Sequence, residues 1–179
     1  MRTSLLCAPM CRNPGLQAIE ASIERQSATL VRLRYGVIGS LQEIAVPAPA
    51  PPLRVHRLWE GTCFEAFLRA EDEEPYLELN FSPSGAWAAY AFSGYRTGMA
   101  EAPLLAEPEI RSTQSADGLE MDIVVSLNLH PGVHAVNLAA VIRSRGGERS
   151  FWAARHPRGE PDFHAPGCFI HQLAAAPAP

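Results

Sequence analysis

The chain lacks any run of 18 apolar residues, so no helical membrane span is written into it. It also lacks a basic run interleaved with aromatics. Net charge is −4, Arg32 and Arg34 alternate along one segment, and Arg143, Arg145 and Arg149 surround a turn, a pattern that argues against nucleic acid as a partner. Cysteine is scarce. Cys7 and Cys11 form one closely spaced pair, but Cys63 and Cys168 are solitary, so the second pair of a structural zinc site is missing and four reduced thiols are expected. The apolar patch before Pro9 is too short for a secretory signal and is followed at once by Arg12 and Pro14; the expectation is a cytoplasmic protein. There is no nucleophile elbow, phosphate-cradling glycine loop or dinucleotide fingerprint, hence no complete catalytic constellation. Long helical patterns and internal repeats are absent too.

What is present is an ordinary globular composition, with 179 residues, 47% hydrophobic and 19% charged. Such a length makes one domain that buries roughly 70% of its unfolded surface. Residues 1–14 read as an irregular segment, 15–173 as the domain, and 174–179 as a disordered Ala/Pro tail.

Strand signals dominate that domain. Residues 27–35 alternate, with Thr29, Val31, Leu33 and Tyr35 facing one way and Leu30, Arg32 and Arg34 the other. Residues 16–25 place Ile19, Ala21 and Ile23 on one side, a spacing that also suits a short helix. Residues 41–46 read as a short strand, and the prolines of 47–52 as a loop crossing the outside of the domain. Further strands are expected at 62–68, 76–81, 87–92, 109–112, 119–127, 133–142, 149–154 and 169–173, with Gly146 and Gly147 at a hairpin tip. Many short strands with regular turns indicate an all-β protein, an antiparallel β-sandwich with little helix.

Residues 58–96 carry the densest polar and aromatic chemistry: Trp59, Glu60, Glu65, Tyr76, Glu78, Asn80, Trp87, Tyr90, Tyr95 and Arg96. The run from Leu58 through Trp59, Glu60, Gly61, Thr62, Cys63, Phe64 and Glu65 to Phe67 resembles the signature of DOMON-like bacterial domains. So do the string from Glu78 to Tyr90, the trio Gly94, Tyr95, Arg96, and the later segments Ser150 to Pro157 and Pro161 to His164. The resemblance covers about residues 15–173. It implies similarity to carbohydrate-binding modules of the ninth family and to sugar- or haem-binding DOMON domains, and therefore a ligand-binding β-sandwich. A haem-binding member would use an axial Met and His pair, for which only Met99 and Met121 are placed where a ligand could project.

Pairing Arg69 with Tyr76 across the acidic turn places Phe67 opposite Glu78 and Glu65 opposite Asn80. Glu65, Glu78 and Asn80 then share one sheet face, to which the next strand adds either Trp87 or Tyr90, depending on a bulge at the Ser82 to Gly85 turn. The functional reading is a small polar ligand, a saccharide above all, stacked on aromatic planes and bonded by carboxylate and amide oxygens, with Arg96 orienting it. The competing reading is a buried network in which Glu65 or Glu78 pairs with an arginine inside the sandwich. Trp59 precedes Gly61 at a strand end, where binding residues gather, whereas Trp87 and Trp152 sit in apolar strands that suit core packing. His156, Asp162 and His164 lie in a loop rich in Pro and Gly, where they could serve as ligand-binding groups, as a metal site, or as turn formers. Two other classes stay open: a hydrolase using Glu65 or Glu78 as acid/base or His156 and His164 with a metal, and an interaction module using an edge strand or the proline loop.

Overall fold

The computed structural model describes residues 1–176. Thirteen strands build two layers. The first contains β2 (Leu16–Arg25), β3 (Leu30–Gly39), β10 (Gly118–Ser126) and β9 (Glu109–Ser115), in that order. The second runs β4 (Leu53–Arg54), β7 (Ala86–Phe92), β6 (Tyr76–Phe81), β5 (Cys63–Ala70), β11 (His134–Arg143) and β12 (Arg149–Ala153). Two short strands flank this path, β8 (Ala100–Glu101) on β7 and β13 (His171–Leu173) on β11. All pairs are antiparallel except β4 with β7. No helix among the described residues is long and apolar enough to cross a membrane.

The strand β1 (Arg2–Cys7) occupies what the sequence presents as an irregular segment. Its first four residues pair with β2 and its last two with β12, so it hydrogen-bonds to both layers. Only one of its six residues, Leu5, is buried, which leaves too little alternation for the sequence to reveal it. Residues 41–46 are not a strand. The chain turns there, Ile44 N–H donating to the Leu41 carbonyl at 3.0 Å, and Ile44 plugs the core with one isolated bridge to Ser144. Of the tail expected to be disordered, residues 177–179 lie outside the described residues, while Ala176 N–H donates to the Pro131 carbonyl at 2.8 Å.

The period of two explains the layers. Ile19, Ala21 and Ile23 of β2 meet Val37, Tyr35 and Leu33 of β3 on the inner face, all essentially dry. Opposite them, Phe64, Ala66 and Leu68 of β5 and Leu79 and Phe81 of β6 fill the space between the layers. Each large side chain sealed there contributes on the order of 1.5–3 kcal/mol. Tyr35 crosses the sandwich: its ring lies 5.0 Å from Phe64 and its hydroxyl donates to the Glu65 carbonyl at 2.7 Å. The proline loop passes over the Ser82–Gly85 turn, where Ala50 N–H reaches the Ser84 carbonyl at 2.7 Å. Gly85 has φ 97°, and a Cβ there would stand 3.0 Å from the Ala50 carbonyl, so conformation and space both demand glycine.

The second layer is also buried on its outer face. Phe67, Tyr76, Ala88, Tyr90, Phe92, Ala139 and Val141 form a second cluster, covered by a short 3-10 turn (Leu58–Glu60) and by residues 155–170.

Candidate functional site

The hairpin of β5 and β6 pairs Arg69 with Tyr76, Phe67 with Glu78 and Glu65 with Asn80. On β7, Tyr90 stands opposite Glu78 and Ala88 opposite Asn80, so Tyr90 shares the polar face. Trp87 does not. It pairs with Phe81, is 6% exposed, and packs in the core between the layers with the Arg54 guanidinium 4.5 Å from its ring centroid.

Above this face lies a pocket of about 470 Å³, within the range of small-molecule sites. Glu65, Glu78 and Val141 form its floor from three adjacent strands. Trp59, Phe92, Phe151 and Phe163 provide aromatic walls, and Arg96, Met99, Pro161 and His164 stand around them. Trp59 meets the edge of the Tyr90 ring at 5.8 Å, which fixes the indole over the face. Phe163 is anchored from beneath, because Asn137 Nδ2 donates to its carbonyl at 2.9 Å.

Glu65 and Glu78 are 3% and 4% exposed, yet neither is paired with an arginine among the described residues. Asn80 Nδ2 donates to Glu78 Oε1 at 2.7 Å, while Glu65 Oε1 has no partner. Burial first, and then the neighbouring Glu78 charge, raise the Glu65 carboxyl well above the ordinary carboxylate range. Burial raises Glu78 as well, against the opposing bond from Asn80.

His164 is wedged against Phe67 and Phe92, at centroid distances of 5.1 and 5.2 Å. Burial, then the Arg96 charge, depress it to about 4, so the ring is neutral near neutrality. Tyr76 completes the assignment: its oxygen accepts the Arg96 backbone N–H at 3.3 Å and its hydroxyl faces His164 Nδ1 at 2.7 Å. The His164 Nε2 to Glu78 Oε2 separation of 3.7 Å is therefore neither an ion pair nor a hydrogen bond. Arg96, at φ 53°, turns its guanidinium onto Asp162, with Nε and Nη2 at 3.2 and 2.7 Å from Oδ1, and Tyr95 adds its hydroxyl at 2.5 Å from Oδ2. Burial would raise Asp162, but the bonds from Arg96 and Tyr95 outweigh it and hold the carboxylate low.

The pocket thus brings together Trp59, Glu65, Glu78, Arg96 and His164, with Asn80 and Tyr90 on the same sheet face. His156 lies outside the lining; its Nε2 faces the Leu6 carbonyl at 2.8 Å and serves to tie the loop to β1. His156, Asp162 and His164 do not converge, and among the described residues no three His, Cys, Asp or Glu side chains are grouped to hold a metal. Phe92, Val141, Phe151, Pro161 and Phe163 are the lining residues that sequence reasoning did not assign to the site, and Met99 entered it only as a haem-ligand candidate. The alternation of 149–154 could have placed Phe151, but nothing local marks Phe163 as a pocket wall.

No protein-family profile matches the chain, and no curated protein matches it either. Solved structures do. A protein of Bacteroides uniformis described as a candidate carbohydrate-binding protein aligns with a TM-score of 0.67 at 16% identity, over 97% of this chain and 85% of its own. A family 9 carbohydrate-binding module of Caldicellulosiruptor kristjanssonii aligns in its cellotriose complex with a TM-score of 0.57 at 8% identity, over 96% of this chain and 82% of the module. Its glucose complex aligns at 0.53 and 8%, over 88% and 75%. The class of fold is therefore that of the carbohydrate-binding-module β-sandwiches.

Proposed function

We propose that the protein is a non-catalytic binding domain whose ligand is a small polar molecule of the saccharide class, held in the pocket over β5, β6 and β7. The observation that carries this reading is the juxtaposition of a buried acceptor floor, Glu65 and Glu78, with the aromatic walls Trp59, Phe92, Phe151 and Phe163. Sugar rings present apolar faces that stack on aromatic planes and hydroxyls that donate to carboxylate oxygens, and this pocket offers both within one small-molecule volume. The sandwich shared with glucose- and cellotriose-bound modules supports the same reading. Haem fits this donor set poorly. Met99 and His164 both line the pocket, but the His164 ring is wedged between aromatics with Nδ1 against Tyr76 and Nε2 facing Glu78, and Met121 is sealed in the core at 1% exposure.

Calorimetric titration with glucose and with cellotriose tests the proposal. Saturable binding that weakens about tenfold or more on Trp59→Ala is expected, from the lost stacking surface. Absence of binding by these and every other sugar tried at millimolar concentration removes it.

A further inference from the structure

The pocket floor carries more acceptor capacity than the protein around it can use. Glu65 Oε1 is buried and has no hydrogen-bond partner, and Glu78 accepts one bond, from Asn80. A buried acceptor left bare costs the desolvation of that group, more so when it is ionised. Among the described residues no arginine bonds to either carboxyl, although the Arg96 charge acts on both from a distance. The chain contains no lysine, the neighbouring Arg96 is committed to Asp162 through two nitrogens, and His164 is held neutral. Four aromatic side chains wall the space above the carboxyls, and aromatic faces attract cations where water is excluded.

We infer that the occupant of this pocket bears an ammonium group: an amino sugar, its nitrogen donating to Glu65 and Glu78 and its ring lying against Trp59. The inference rests on the saccharide reading above and names the chemistry that reading leaves open. In the empty pocket burial opposes ionisation of both carboxyls, and the Glu78 charge further opposes that of Glu65. The Arg96 charge pulls the other way, and the balance favours keeping a proton on the pair. An ammonium group substitutes for the retained proton, so both carboxylates form and a proton leaves to solvent as the ligand enters. A neutral sugar supplies hydroxyl donors but no charge to balance the pair, and a sugar acid would be repelled by it. Of the other titratable groups at the floor, Tyr76 is engaged with His164, Tyr90 with His56, and Asp162 with Arg96 and Tyr95, while burial raises the Cys63 thiol well above its ordinary range.

The test is calorimetric titration of the intact chain with glucosamine, glucose and glucuronate near neutral pH, each in two buffers of different ionisation heat. Glucosamine is expected to bind about tenfold or more tighter than glucose. It should release a proton to the buffer where glucose does not, and glucuronate should bind weakest. Glu65→Gln, which keeps the side-chain shape, is expected to erase the difference between glucosamine and glucose. The buffer comparison on the unaltered chain decides the matter even if that variant does not fold. Glucose binding as tightly as glucosamine, or glucosamine binding without proton release, overturns the amine inference and leaves the saccharide reading standing; no binding by any of the three overturns both.

Discussion

At the scale of single residues, two side chains of the pocket pull stability in opposite directions with pH. His164 titrates at about 4 in the fold, against 6.5 for the ordinary side chain. Between those values the unfolded chain takes up a proton that the fold refuses, so stability falls as the solution is acidified through that window. Glu65 has the reverse sign. Its folded carboxyl is raised well above the ordinary range, so as pH climbs past that range the unfolded chain releases a proton that the fold retains, and stability falls with rising pH. Melting temperatures measured across pH are therefore expected to show a shallower acid limb in His164→Gln. Glu65→Gln should melt higher than the parent near neutrality, since it removes the buried carboxyl while keeping its volume. Unchanged slopes in both variants would mean that neither group is coupled to folding. A residue whose removal stabilises the empty fold is a residue kept for something other than the fold.

At the scale of elements, β7 shows what alternation can and cannot reveal. The register of β5 on β6 was legible, because polar Glu65, Glu78 and Asn80 alternate with apolar neighbours and the acidic turn fixes the pairing. Both faces of β7 are buried, one against the other layer and one under the 3-10 turn. Its sequence is therefore apolar throughout, and periodicity cannot say which side Trp87 takes. The pocket walls were hidden for another reason: Phe151 and Phe163 lie far along the chain from β5 and β6, and only tertiary packing brings them to the floor those strands set. The outcome at Trp87 is testable. Trp87→Ala should cost about 3–5 kcal/mol in denaturant unfolding by opening the core. It should leave sugar affinity of the folded fraction unchanged, since its indole lies on the opposite side of the sheet from the pocket.

At the scale of the whole molecule, the two layers are held in relation by a few ties besides the shared core. β1 hydrogen-bonds to both, and Tyr35 reaches across to the strand that carries Glu65. A third tie is Arg25, which ends β2 at 9% exposure and spreads its guanidinium over the carbonyls of Ala28, His130 and Gly132, at 3.3, 2.9 and 3.1 Å. It thereby fixes the passage from β10 in one layer to β11 in the other. Arg25→Met keeps the apolar stem but strands these carbonyls, and should lower unfolding free energy by roughly 2–4 kcal/mol in urea while the pocket keeps its affinity. A change below about 0.5 kcal/mol would show that water satisfies the passage equally well.

The three tryptophans are unevenly shared out between wet and dry surroundings. Trp59 stands half-buried at the mouth of the pocket, whereas Trp87 and Trp152 are shut inside the sandwich at 6% and 4% exposure. Intrinsic emission from one cuvette can accordingly be divided into an outer, solvent-tuned contribution and an inner pair that shifts only when the layers part, so that occupancy and integrity become separately visible without any attached dye.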